Sequence, residues 1–158
     1  MKSLLIIGAG GYGRLVKELA ELLGYERINF LDDNSSIAVG KIQELDDLQE
    51  DYDGAIVAIG NPTIREEIFS KLTNPVSLTH PDAIISPSAK IAKGCVVEAR
   101  TVINTGATVK DSSFICAGAV VNHNALVGEF CQIDCNAVVG SGAVVDRGIK
   151  VESCTVFK

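Results

Sequence analysis

Two groups of residues in this 158-residue chain have the types and spacing that chemistry requires. The first is Gly8-Ala9-Gly10-Gly11-Tyr12-Gly13-Arg14, which follows the short apolar run Ser3 to Ile7. Leu15, Leu19, Leu22 and Leu23 then recur at helical spacing, and Gly24 closes the helix. Strand, glycine turn and helix in that order aim backbone N–H groups at a phosphate. A second strand, Ile28 to Leu31, ends in Asp32-Asp33, and Asp32 lies 19 residues past Gly13, near the place of a ribose-binding acid in a dinucleotide fold. A third, Ala55 to Ile59, leads through Gly60-Asn61 to Pro62, which suits the first turn of a helix whose Ile64, Ile68 and Leu72 face the sheet. Val76 to Leu78 is read as a fourth strand. Glycines in such a turn also serve plain helix–sheet packing. About 78 residues make one βαβαβ half where a dinucleotide spans two, so a nucleotide-sugar fits better than NAD.

The second group is His123, in Val121-Asn122-His123-Asn124, and Ser141, 18 residues later in Gly140-Ser141-Gly142. Imidazole titrates near neutrality and accepts a proton at physiological pH. A lone histidine on a repetitive surface is by itself an ordinary corner residue; what gives this one interest is the frame that holds it.

That frame is a beat of six. Ile85, Ile91, Val97, Ile103, Val109, Ile115, Val121, Val127, Ile133, Val139, Val145, Val151 and Phe157 are consecutive sixth positions, all apolar. The fourth residue after each is mostly small, as in Ala89, Cys95, Thr101, Ala107, Ser113, Ala119 and Ala125. A period of six is neither a helix face nor a plain strand. It fits a triangular solenoid in which three hexads close an 18-residue coil, stacked at roughly 4.8 Å. Gly94, Gly106, Gly118, Asn124, Asn136, Gly142 and Gly148 fall three after the apolar positions, where a tight corner takes positive φ. Residues 18 apart then sit above one another, so Ser141 lies one coil above His123, and Val102, Val120, Val138 and Val156 form a ladder. The expected architecture is α/β: a Rossmann-like half-module over residues 1–80, then β-helix over 81–158.

Composition narrows the partners. A net charge of −6 argues against nucleic acid or an anionic membrane surface. No apolar run approaches the ~20 residues of a membrane span, and the first residues lead straight into a fold motif, so the chain reads as cytoplasmic. Cys95, Cys116, Cys131, Cys135 and Cys154 include no CxxC pair, which points away from a metal or disulfide framework. Cys95 and Cys131 occupy the small inward position, as little hydrophobes.

The combination of Gly8-Ala9-Gly10-Gly11-Tyr12-Gly13, Phe30-Leu31-Asp32-Asp33, Ala58-Ile59-Gly60-Asn61, His80-Pro81 and Ile85-Ser86-Pro87-Ser88-Ala89 ahead of hexapeptide repeats resembles one family. It is similar to the bacterial sugar O/N-acyltransferases of the sialic acid O-acetyltransferase type, and within them to the branch that acetylates UDP-4-amino-sugars. The resemblance covers nearly the whole chain. It implies a left-handed parallel β-helix, a homotrimer, and acetyl-CoA as co-substrate between neighbouring β-helices. It also implies a UDP-amino-sugar with its nucleotide end in the N-terminal module. Relatives of this type continue for about two further coils, so the resemblance implies a C-terminally truncated form.

Acetyl transfer needs a base for the attacking amine and a donor for the thioester oxyanion. By the match Asn-His-Asn-Ala-Leu-Val-Gly-Glu-Phe, the resemblance makes His123 the general base. The Ser141 N–H is the natural oxyanion donor, since an unhindered main chain is all that is needed. Asn124 stands where a glutamate commonly orients the histidine, and holds a tautomer without the charge of a carboxylate. Gln132 replaces a second histidine near the acetyl carbonyl and, with Gly140 and Gly142, is assigned to the co-substrate. Tyr12 stands where many relatives have histidine. Gly8, Gly10, Gly11, Tyr12, Gly13, Arg14, Asp32, Asp33, Gly60 and Asn61 are assigned to the nucleotide-sugar, Arg65 reads as a solvated arginine near a helix start, and His80 is assigned to a structural role. Sugar O-acetylation and a non-enzymatic nucleotide-sugar-binding trimer are the alternatives.

Overall fold

In the computed structural model, which describes residues 1–158, the chain divides into two compact units, Met1–Leu78 and Thr79–Lys158. The first is built on three parallel strands, β1 (Ser3–Ile7), β2 (Arg27–Leu31) and β3 (Gly54–Val57), in the order β2-β1-β3. β1 is buried at every position, as a parallel strand covered on both faces must be. Leu5, Ile7, Ala55 and Val57 join Leu31, Leu45 and Ile68 in one cluster. That face is covered by the turn α2 (Leu45–Leu48) and by α3 (Pro62–Phe69). α1 (Gly11–Leu22), none of whose residues joins that cluster, covers the other face with Val16, Leu19 and Ala20.

Several details depart from the sequence pattern. The buried stripe of α1 is Gly13, Val16, Leu19 and Ala20, while Leu15 and Leu22 are exposed. A leucine series at i, i+4 and i+7 marks a helix but does not say which flank of the stripe meets the sheet. On α3, Ile68 is buried but Ile64 is exposed, and the fully buried residue beside it is Arg65. No fourth strand forms at Val76–Leu78 in this sheet: Ala55 makes a single parallel bridge to Pro75. Gly24 ends α1 at φ +87°, as expected of a helix-closing glycine. No helix of the chain is long and apolar enough to cross a membrane.

The second unit is a parallel β-solenoid of two-residue strands. One sheet stacks Ile84–Ile85, Val102–Ile103, Val120–Val121, Val138–Val139 and Val156–Phe157. A second stacks Lys90–Ile91, Thr108–Val109, Leu126–Val127 and Val144–Val145. A third holds Val96–Val97, Phe114–Ile115, Gln132–Ile133 and Lys150–Val151. The register is 18 throughout: Val120 pairs with Val102 below and Val138 above, and Ile115 with Val97 and Ile133.

From Val97 to Val151 the sixth-position residues are buried, and with the small residues between them they form one continuous core. Corner geometry is equally regular. All seven glycines and asparagines named for the corners have positive φ, and so do Arg100, Ser112, Phe130 and Cys154 at the same place in other hexads. The coil therefore imposes the left-handed conformation even on a phenylalanine, at φ 58°.

The small inward residues do more than fill space. The Thr101 hydroxyl donates to the Cys116 carbonyl at 3.2 Å and the Ser113 hydroxyl to the Gly128 carbonyl at 2.8 Å. Cys95 and Cys131 do the same with their thiols, to the carbonyls of Lys110 (3.1 Å) and Asp146 (3.0 Å). All four bonds span 15 residues, so these cysteines are structural donors rather than mere hydrophobes.

Candidate functional site

In the first unit the candidate site residues follow the carboxyl ends of all three strands, the glycine turn after β1, Asp32 and Asp33 after β2, and Gly60 and Asn61 after β3. The chain leaves β1 for β2 on one side and returns to β3 on the other, which makes the crevice between β1 and β3 a topological switch point. The Ala58 N–H donates to the Ile7 carbonyl at 2.8 Å, drawing the ends of the two strands together.

The four glycines of the turn have separate jobs. Gly8 lies at φ +107°, with the Ala58 carbonyl 2.9 Å from where a Cβ would stand. At Gly13 a Cβ would meet the Gly8 carbonyl oxygen at 1.9 Å, so glycine is what lets α1 seat on β1. These two are packing residues. Gly10 and Gly11 are exposed, with nothing within 4 Å of an added Cβ and ordinary backbone at Gly10 (φ −74°). Neither packing nor conformation accounts for them, and they leave the start of α1 bare to a ligand. Tyr12 is half-buried behind them, and Arg14 is exposed.

Asp32 is committed on both oxygens. Oδ2 accepts the Ala9 N–H at 2.8 Å and Oδ1 accepts the Asn34 N–H at 2.8 Å. Those two amide donors, Ala9 first, hold its carboxyl below the usual carboxylate range. Asp32 thus ties the end of β2 to the glycine turn. Asp33 accepts the Ile42 N–H at 3.0 Å. The two aspartates, with Asn34, Ser35, Val39 and Lys41, line a cavity of about 370 Å³. Asn61 caps α3, its Oδ1 accepting from Thr63 (3.0 Å) and Ile64 (3.1 Å), while Gly60 beside it is open.

Arg65 is not on the surface. It is completely buried, and Nη1 donates to the carbonyls of Ile59 (2.7 Å) and Gly60 (3.0 Å), so it anchors the β3–α3 turn from inside. Charge in a sequence gives no sign of this: an arginine near a helix start reads as solvated until the carbonyls it clamps are known.

In the second unit His123 stands exposed at the corner between the Val120 and Leu126 strands. Its imidazole makes no hydrogen bond within the chain, whereas its main chain is held at both ends. The carbonyl accepts the Gly142 N–H at 3.0 Å, and the N–H donates to Asn122 Oδ1 at 2.8 Å. Ser141 lies one coil above, exposed, in the same register that pairs Val121 with Val139. Its N–H is unbonded. The residue before it is Gly140, which has no side chain to take that N–H as Asn122 takes the one below. Asn124, at φ 58°, sets its Oδ1 over Gly106 of the coil beneath, 2.3 Å from where a Cβ would be.

Gln132 is elsewhere. It belongs to the Phe114–Lys150 sheet, the side of the triangle facing away from the His123 corner. Within one chain the structure brings His123, Ser141, Gly140 and Gly142 together and leaves Gln132 apart.

His80 Nδ1 accepts the Asp82 N–H at 3.0 Å, a turn cap. No group of histidine, cysteine and carboxylate side chains is arranged to hold a metal ion. Burial, then the Glu98 and Asp134 carboxylates, push the Cys116 and Cys135 thiols up, away from the thiolate that binds metals.

The family of the PglD N-terminal domain matches residues 3–72. The acetyltransferase domain of PglB from Neisseria gonorrhoeae FA1090 matches with a TM-score of 0.88 at 31% identity, over 100% of this chain and 92% of that one. The same domain in complex with acetyl coenzyme A matches at 0.81 and 32% identity, over 98% and 92%. UDP-N-acetylbacillosamine N-acetyltransferase of Bacillus subtilis (strain 168) is 31% identical over 114 residues, 63% of this chain and 52% of its own length. The chain thus spans about half the length of that curated relative. With a solved relative matched almost end to end at that identity, the chain belongs to the hexapeptide-repeat sugar N-acetyltransferase family of PglB and PglD.

Proposed function

We propose that the protein transfers an acetyl group from acetyl-CoA to the amine of a UDP-linked amino-sugar, in the building of a surface glycan. The observation that carries this is the stacking of an exposed imidazole, His123, under an unbonded main-chain amide, Ser141, at one corner of the solenoid. The N-terminal glycine turn supports the nucleotide half of the substrate, because Gly10 and Gly11 are spare for packing. Two relatives support the chemistry: a PglB domain that binds acetyl coenzyme A and a Bacillus N-acetyltransferase of a UDP-sugar.

In this reaction the sugar amine attacks the thioester carbonyl while His123 takes the amine proton. A C–N bond forms, the Ser141 N–H donates to the oxyanion, and collapse breaks the C–S bond, the departing thiolate of CoA taking the proton back from His123 to leave as the thiol. Gly140 and Gly142 keep side chains away from that amide. Asn124 shapes the corner through its φ and its seat on Gly106. Gln132 reaches such a site only from a second copy of the chain, which favours a homotrimer with acetyl-CoA between protomers. The outward column Ile84, Val102, Val120, Val138 and Val156, an apolar β-face with Ile84 68% and Val156 60% exposed, suits that contact. A substrate pair of acetyl-CoA and a nucleotide-sugar fits work in the cytoplasm.

His123→Ala is expected to lower kcat by about 10³-fold or more, the upper range of general-base catalysis, with UDP binding by calorimetry intact. Turnover within tenfold of the parent would discard the assignment.

A further inference from the structure

The imidazole of His123 has no partner in the chain, so what aims it must act through its main chain. Its carbonyl is held from above by Gly142 and its N–H from the side by Asn122 Oδ1. That oxygen takes a second hydrogen bond, from Asn104 Nδ2 at 3.0 Å. Asn104 lies 18 residues before Asn122, hence directly beneath it, and both are half-buried. A backbone N–H can only donate, so the Asn122 atom facing His123 is its oxygen, and Asn104 must present its NH₂. Resting on the reading of His123 as base, we infer that Asn104 and Asn122 form a two-storey amide post that positions the catalytic histidine.

The corner two hexads further on, at Asp134, makes the same kind of bond. There Asp134 Oδ1 accepts the Cys135 N–H at 2.8 Å, the same bond made by a carboxylate. The bond thus recurs at a second corner, while the support from below by an asparagine is found at the histidine. Asn122 directly precedes His123 in the chain, and the residue one coil above it is Gly140, where no side chain intrudes. Neither residue need touch a substrate for this role; both act through His123. A residue misplaced by about 1 Å can slow a reaction on the order of 10²-fold.

The test uses the full chain with Asn122→Ala, Asn122→Asp and Asn104→Ala. Asn122→Ala is expected to lower kcat about 30-fold, with KM for both substrates within twofold, and to speed exchange of the His123 amide hydrogen. Asn122→Asp keeps the acceptor, as Asp134 does, and is expected to retain slow exchange and to recover kcat to within about threefold of the parent on the alkaline plateau of the pH profile. Asn104→Ala should fall between. Parental kcat in Asn122→Ala, or an Asn122→Asp variant as slow as Asn122→Ala despite a protected His123 amide, would overturn the inference. Amide exchange is read without turnover. If the parent transfers no acetyl group the proposed activity fails, and an unchanged His123 amide in Asn122→Ala would sink the post separately.

Discussion

The two units hold their functional residues in opposite ways. In the first, the proposed site sits on turns whose shape depends on individual contacts: Gly13 against Gly8, Asp32 on Ala9, Arg65 on the carbonyls of Ile59 and Gly60. In the second, position comes from the repeat itself, and any residue placed two after a buried aliphatic is carried to a corner. A unique tertiary contact fails locally and completely when altered. A repeated one is shared among coils and tolerates change at its corners, so long as the inward ladder is kept.

Substitutions can break that contrast or sharpen it. The largest effect is expected where the first unit has no slack. Gly13→Ala sets a Cβ 1.9 Å from a backbone oxygen, and should destabilise that unit by about 3 kcal/mol while the solenoid unfolds as before. Gly11→Ala, two residues away, should leave the melting temperature in place and, if the proposed nucleotide site is right, weaken UDP binding about tenfold, roughly 1.4 kcal/mol, because an added methyl would stand on its open face. Denaturation followed by two probes, one per unit, with UDP titration, checks both. Equal losses of stability would erase the division between packing and binding glycines.

A smaller effect concerns pH. Asp32 titrates below its unfolded value, so the support it lends the turn is complete above about pH 4, the ordinary aspartate range, and is lost as pH falls through the depressed folded value. Exchange of the Ala9 amide should be flat from neutral pH down to about 5, after correction for intrinsic rates, and accelerate in more acid solution. Loss of protection already near neutrality would mean that the Asp32 bond does not hold the turn.

The smallest effect is a gain. Arg100 is exposed at φ 61°, a conformation that glycine enters without steric penalty, so Arg100→Gly should stabilise the solenoid by about 0.5–1 kcal/mol in urea. A loss there would show that corner side chains matter beyond their backbone.

The same contrast explains what could be seen in the sequence. The 18-residue coil, the inward aliphatic ladder and the stacking of Ser141 on His123 follow from counting, since a period of six leaves no freedom in register. The strand, glycine turn and helix were equally plain. What counting does not reach is a partner chosen by three-dimensional proximity. Arg65 gives no local hint that it is buried, and the leucine series on α1 does not reveal that Val16 and Ala20, not Leu15 and Leu22, meet the sheet. Phe130 at a left-handed corner runs against its own preference, and the coil overrides it. Asn104 and Asn122 were within reach, being 18 apart beside the ladder. The hydrogen bond of Asn122 to the histidine main chain needs coordinates to be noticed, because nothing in the sequence says which way a corner amide points.

The solenoid register has one more consequence, for how such an enzyme can change. Because imidazole and amide are carried by successive layers, the axial separation of the proposed base and oxyanion donor is quantised at about 4.8 Å. Neither evolution nor an engineer can slide one past the other by a fraction of that step without breaking every ladder in the stack. Adaptation to a bulkier acyl group or another amine must come from side chains at the rim, or from moving the pair a whole storey along the axis.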